Sequence, residues 1–255
     1  MKIIGVVPAR MAASRFPGKP LKLIKGRPMI EHVFRRAELY QGWSNLVLAT
    51  CDNEIQEYAS RQSIPCVMTG SHHERALDRV AEAVQKMNLQ VDDEDIVVCV
   101  QGDEPMMRPN MIDAVLEPLL VNTSIKATIL AMHITDETIW LNPDTVKIVS
   151  NESGEILYTS RAPVPYCKGQ FDAKHMARRI YGIFAFRWGN LNKFTAHKQT
   201  RLERLEACDS NRVLDMDFRQ YIAPYPEIKS FSVDSLNDLS MVEASMEKDL
   251  LWGAY

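Results

Sequence analysis

Three short segments carry side chains whose types and spacing suit chemistry on a phosphate. The first is Val7-Pro8-Ala9-Arg10-Met11-Ala12-Ala13-Ser14-Arg15-Phe16-Pro17-Gly18-Lys19-Pro20, which follows an apolar run directly. Its small residues let backbone N–H groups approach phosphate oxygens, while Arg10, Arg15 and Lys19 supply positive charge. The second, Ile96-Val97-Val98-Cys99-Val100-Gln101-Gly102-Asp103-Glu104-Pro105, is an apolar run that ends abruptly in an acidic pair. Carboxylates at the end of a buried strand suit Mg²⁺, which takes a few carboxylates together with substrate phosphates. Capping of a following helix is the competing reading for Asp103 and Glu104. The third, Ser232-Val233-Asp234-Ser235-Leu236-Asn237-Asp238, places Asp234 where it could complete a metal site opposite Asp103. Ser235 and Asp238 have capping-box spacing, which accounts for Asp238 without catalysis.

These segments need strands to end where they begin. Short apolar runs over 3–7, 46–49, 66–68, 96–100 and 127–132 read as buried strands. Between them, 28–40, 53–61, 74–87 and 110–120 read as helices. That alternation predicts right-handed βαβ units and a mostly parallel sheet with helices on both faces, whose ligands bind beyond the carboxyl ends of the strands. After about residue 133 the pattern changes. Runs at 146–149 and 156–159 flank a turn, 160–178 reads as a long loop and 180–186 as a strand. Helical segments follow over 191–219, then a strand over 228–233 and a closing helix over 236–251. The expectation is a single α/β domain over 1–255, with a smaller β-containing lobe over about 133–230 that serves acceptor binding or dimerisation.

Composition narrows the function. The 255 residues carry a net charge of −3, which offers no general footprint for nucleic acid or an anionic membrane, so a polyphosphate needs a local cluster of cations. The five cysteines are scattered without CxxC pairing, so buried reduced thiols are expected rather than a zinc site or disulfides. No run approaches the ~18 apolar residues of a membrane span. The opening Lys2-Ile3-Ile4-Gly5 does not read as a leader, so the expected location is cytoplasmic. Neither GxGxxG nor GxxxxGK[ST] is present. The six histidines show no metal spacing, and the adjacent His72 and His73 read as surface residues because neighbours cannot share a helix face.

Taken in order, several motifs together resemble the CMP-Kdo synthetase (3-deoxy-manno-octulosonate cytidylyltransferase) family. They are Pro8-Ala9-Arg10, Ser14 to Pro20, Gly26-Arg27-Pro28-Met29-Ile30, Ala49-Thr50 with Asp52, Val100 to Pro105, Asn142-Pro143 with Val146-Lys147, Ser160-Arg161 and Val233-Asp234. The resemblance implies a Rossmann-like nucleotidyltransferase α/β fold, a homodimer, CTP as donor and Mg²⁺ as cofactor. It implies that Pro8, Ala9, Arg10, Ser14, Lys19 and Gln101 bind the nucleotide. Arg10, Lys19 and Asp103 would be catalytic, and Asp103 with Asp234 would hold Mg²⁺. Gln101 and Arg161 would reach the acceptor.

The acceptor motifs depart from the family. Where members carry Ser-Gly-Thr before an acidic residue and an arginine, this chain has Arg75-Ala76-Leu77-Asp78-Arg79. Ile180 and Phe184 stand in the register of a histidine and a tyrosine. Arg75 and Arg79, four apart on a predicted helix, could clamp an anionic group, with Phe184 lining the pocket. Polar groups that read hydroxyls discriminate strongly, so the acceptor is expected to be Kdo, a related ulosonic acid, or a smaller acid or phosphonate. Two rivals stay open on the sequence alone. A UTP- or GTP-dependent enzyme lacks support from a glycine-rich first loop, and a silent binding subunit would fit poorly with Lys19, Asp103 and Asp234 all present.

Overall fold

Valine and isoleucine dominate the first strands because a parallel strand is buried on both faces and selects β-branched side chains. In the computed structural model β1 (Ile3–Pro8), β4 (Asn45–Thr50), β5 (Cys66–Met68) and β6 (Ile96–Val100) lie in the order β6-β1-β4-β5, every pair parallel. All five residues of β6 are buried. The structure describes residues 1–12, 16–227, 232–233 and 235–255, and for His175 the backbone alone. The described chain forms two units, Met1–Ile112 with Lys229–Tyr255, and Asp113–Ile228. The second unit thus begins earlier than residue 133, within a helix.

The first unit adds the small hairpin β2 (Leu23–Ile24) and β3 (Arg27–Pro28), with helices α1 (Met29–Glu38), α2 (Asn53–Arg61) and α3 (Ala76–Lys86). Helix α4 (Pro109–Val121) carries the boundary between the units. In the second unit β7 (Ala127–His133) is flanked by β11 (Gln220–Tyr225), parallel, and by β10 (Arg178–Arg187), antiparallel. Strand β8 (Lys147–Ser150) pairs antiparallel with β10 and with β9 (Ile156–Ser160). Helices α5 (Glu137–Leu141), α6 (Trp188–Ala196) and α7 (Arg201–Glu206) belong to the same unit, and α8 (Leu236–Met246) returns to the first. The expected 146–149/156–159 hairpin is present. The expected helical stretch to residue 219 is broken up and followed by β11, which the sequence reading had not placed. Of the strand expected over 228–233, residues 228–231 lie outside the described residues, and 232–233 are not strand.

Two satellite features of the first unit steady its ligand-facing loops. Phe16, Ile24, Met29 and Met106 pack with Val233, Val242 and Met246, so the apolar side of α8 rests on the residue two before Gly18. The Ser235/Asp238 capping box is formed, with Asp238 N donating to Ser235 Oγ at 3.3 Å and Ser235 N to Asp238 Oδ2 at 2.8 Å. On α1, the wholly buried His32 and Arg36 are met by the last residues of the chain. Arg36 pairs with Asp249 and donates to Tyr255 Oη, while His32 contacts Tyr255 Oη and Ile24 O, both at 2.8 Å. Burial lowers the His32 pKa and favours the neutral ring that these two contacts need. All five cysteines are outside disulfides; Cys99, Cys167 and Cys208 are buried, whereas Cys51 and Cys66 are only half-buried. Among the described residues no helix is long and apolar enough to cross a membrane.

Candidate active site

Because β4, β1 and β6 are adjacent and parallel, their carboxyl ends meet along one edge of the sheet. Pro8 and Ala9 are buried there, and Ala9 N extends the ladder by donating to Ala49 O at 2.9 Å. The chain leaving β6 passes so close to β1 that Gly102 has no room for a side chain. A Cβ there would lie 2.7 Å from Pro8 O and 2.8 Å from Ile30 Cδ1. Gly102→Ala therefore forces backbone apart, and overpacking of this kind costs about 1–3 kcal/mol. We expect a lower melting temperature by about 2–4 °C per kcal/mol in thermal denaturation. An unchanged melting temperature would show that this approach is slack.

That tight approach sets Asp103 against Lys19. Lys19 Nζ donates to Asp103 Oδ2 at 3.0 Å and to Val233 O at 2.6 Å, and Val233 N donates to Asp103 O at 3.0 Å. Lys19 is delivered by a closed loop. Met11 N donates to Asp52 Oδ2 at 2.8 Å, and Gly18 N donates to Met11 O at 3.1 Å. Gly18 adopts the left-handed conformation (φ 71°) that favours glycine. Arg10 is exposed and donates from Nη1 to His73 O at 3.3 Å. Gln101 is half-buried immediately after β6. Ser14 and Asp234 lie outside the described residues. Asp52 received no role from sequence reasoning; its signal was a carboxylate just beyond the strand beside β1.

Asp103 has the character of a cation ligand. Its Oδ1 is buried and meets no hydrogen-bond partner among the described residues, while Oδ2 already takes Lys19. An unpaired buried carboxylate oxygen is costly unless a ligand completes it, so this residue fits Mg²⁺. The capping reading fails for both acids, because the next helix starts only at Pro109. Glu104 is buried and accepts from Ser232 Oγ at 2.6 Å.

The acceptor candidates fare unevenly. Arg75 is the N-cap of α3 (φ −110°, ψ 150°), one residue ahead of the helix rather than within it, and its carbonyl accepts from Arg79 N at 3.5 Å. Arg79 is 3 % exposed and reaches the residues that follow β5, donating from Nη1 to Thr69 Oγ1 and, at 3.3 Å, to Gly70 O. Its Nη2 is buried and has no partner among the described residues. Arg161, in the second unit, spends its guanidinium on the carbonyls of Glu206, Pro143, Asp144 and Ala207 and its backbone N–H on Glu206 Oε2. Phe184 is 2 % exposed within β10, so the structure gives it a packing role. His72 and His73 do not read as isolated surface residues: they precede α3 in a turn and converge on Glu82.

A cation-bearing loop after the first strand, facing an incompletely satisfied carboxylate on the carboxyl edge of a parallel sheet, defines an α/β nucleotidyltransferase. The sequence profile of the Cytidylyltransferase family matches residues 4–220, and the chain belongs to that family. The 3-deoxy-manno-octulosonate cytidylyltransferase of Oleidesulfovibrio alaskensis is 42% identical over 212 residues, 83% of each chain. The enzyme of the same name from Haemophilus influenzae (strain PittEE) is 33% identical over 258 residues, covering 98% of this chain and all 100% of its own. Among solved structures, a CMP:2-keto-3-deoxy-manno-octonic acid synthetase complexed with CTP superposes with a TM-score of 0.87 at 30% identity, over 98% of this chain and 100% of that one. A 4-diphosphocytidyl-2C-methyl-D-erythritol synthase, 14% identical with a TM-score of 0.64, shares the fold. The mixed α/β fold and the nucleotidyltransferase class are therefore those expected from the sequence, and the silent-subunit reading gains nothing from these relatives.

Proposed function

We propose that this chain transfers CMP from CTP to 3-deoxy-manno-octulosonate or a closely related ulosonic acid, releasing pyrophosphate, with Mg²⁺ as cofactor. The observation that carries the reading is Asp103, one carboxylate oxygen on Lys19 and the other buried with no partner among the described residues. The relatives' names supply the acceptor class.

In the reaction an acceptor hydroxyl oxygen bonds to the α-phosphorus of CTP, the bond from that phosphorus to pyrophosphate breaks, and the hydroxyl proton leaves to solvent. Two anions must meet, so alignment and charge neutralisation dominate the barrier. Lys19, fixed between Asp103 and Val233, presents its ammonium to the phosphates without needing to be ordered first. Arg10, exposed beyond β1, meets the departing pyrophosphate. Gln101, directly after β6, orients the acceptor. Arg79 offers its buried Nη2 to the acceptor's anionic group. Mg²⁺ held by Asp103, with Asp234 as the second carboxylate, would supply charge neutralisation at the α-phosphate. A homodimer in the cytoplasm is part of the same proposal.

The test is pyrophosphate release from CTP, Mg²⁺ and 3-deoxy-manno-octulosonate. Saturable turnover that stops on chelation of Mg²⁺ is expected. Protein that binds CTP but does not turn over with this acid would remove the proposed acceptor.

A further inference from the structure

The turn from β5 to α3 brings together donors that the proposed reaction does not use. Gly70 makes the turn possible in a particular way. A Cβ on it would fall 2.4 Å from His72 Cε1 and 2.5 Å from His72 Nδ1, with Glu82 Oε2 next at 3.5 Å. The imidazole of His72 thus occupies the space a side chain would fill, beside the Glu82 carboxylate. His73 stacks on it with ring centroids 4.1 Å apart and directs Nε2 at Glu82 Oε2. One ligand atom from each of His72, His73 and Glu82 lies within 4.8 Å of the others. The Glu82 carboxylate is also held by the Gly70 N–H, which donates to Oε2 at 2.9 Å.

We infer that His72, His73 and Glu82 form a second metal site, separate from Asp103, that takes a first-row transition ion of the Zn²⁺ kind. Two imidazole nitrogens and one carboxylate oxygen are the donor set of such ions, whereas Mg²⁺ prefers oxygen alone. Bonds of about 2.0–2.1 Å in tetrahedral array put donors about 3.3 Å apart. The observed spread reaches that by side-chain rotation, with the ion replacing the direct His73–Glu82 contact. Glu82 sits on α3 and the histidines in the preceding turn, so no backbone element has to travel. Lys86 Nζ pairs at 2.7 Å with Oε1, while Oε2 accepts from the Gly70 N–H at 2.9 Å and turns its second lone pair to the ion in place of His73. His72 is exposed, so the fourth position opens to solvent. His73 O also accepts from Arg10, so an ion that fixes His73 steadies a phosphate-facing arginine; this last link rests on the proposed function, while metal binding itself does not.

The experiment titrates Co²⁺ into the untagged, chelator-stripped chain with Mg²⁺ in excess. Visible d–d bands saturating at one equivalent, with no sulfur-to-cobalt charge transfer, are expected, as is displacement by Zn²⁺. His72→Ala, at an exposed position, and Glu82→Gln should each weaken Co²⁺ binding beyond the about 10–100-fold that an outer partner's loss brings. The exposed His197→Ala should change nothing. A sulfur charge-transfer band, the absence of saturable binding, or undiminished affinity in His72→Ala overturns the site, whatever the outcome with CTP.

Discussion

Asp103→Asn is expected to lower the rate of pyrophosphate release by about 10³-fold while the protein stays folded and still binds CTP. Asparagine keeps the shape of the side chain and removes its charge. Lys19 keeps the Val233 carbonyl as an anchor, so the loop stays in place. What disappears is an anionic oxygen at the position where Oδ1 is buried without a partner among the described residues. A bound divalent ion supplies several kcal/mol of charge stabilisation in phosphoryl chemistry, and each 1.36 kcal/mol is about tenfold in rate. The alternative is that Asp103 only positions Lys19. The Mg²⁺ dependence separates the two. A metal ligand replaced by an amide raises the Mg²⁺ concentration needed for half-maximal rate, whereas Lys19→Met lowers kcat without moving it. An Asp103→Asn enzyme with wild-type kcat at the wild-type Mg²⁺ requirement would falsify the metal assignment.

The strand ends that carry the nucleotide candidates were legible in the sequence because their logic is local. A strand that ends in a polar residue fixes where that residue points, and Cys66–Met68 and Ile96–Val100 have the expected bounds since turn residues interrupt an unbroken apolar run. Asn53–Arg61 was equally plain, with Asp52 at its N-cap. Strand β11 was hidden by Pro224, which cannot donate to a ladder and argues against a central strand. Here it is tolerated because β11 ends the strand order beyond β7, and among the described residues its outer side meets an isolated bridge, Glu155 with Tyr221, that stops short of Pro224. The acceptor candidates were less legible for a different reason. Whether an arginine faces a ligand depends on which carbonyls surround it, and nothing near Arg161 in sequence announces that Pro143, Asp144 and Ala207 will take its donors. His72 and His73 looked inert because the argument against them assumed a helix. Outside one, a turn over Gly70 lets neighbours converge.

The second unit has a comparable dependence on long-range pairing, and it predicts the largest loss of stability. Glu203 on α7 is wholly buried, and so, to within 2 %, is Arg212. Arg212 meets it with two parallel bonds, Nε to Oε2 at 2.9 Å and Nη2 to Oε1 at 2.7 Å, while its guanidinium carbon lies 4.3 Å from the centroid of the Phe194 ring. Glu203→Ala leaves that buried cation without its carboxylate, which costs about 3–5 kcal/mol, or roughly 6–20 °C in melting temperature. It also opens the Thr200 capping box, since Thr200 N donates to Glu203 Oε2 at 3.2 Å. The loss reaches β9 through Asn211, whose amide clamps Thr159 by accepting from its N–H at 2.9 Å and donating to its carbonyl at 2.9 Å. Desolvation and attraction nearly cancel in a buried pair, so its presence does not mean that the charges stabilise the fold. The double variant Glu203→Leu with Arg212→Met should therefore recover most of the loss, short of the capping contribution of about 1 kcal/mol. Denaturant unfolding of Glu203→Leu, Arg212→Met and the double variant closes the cycle. Additive losses would mean that Glu203 acts through the helix cap alone. A double variant far more stable than the summed single losses predict would place the cost in the abandoned charge.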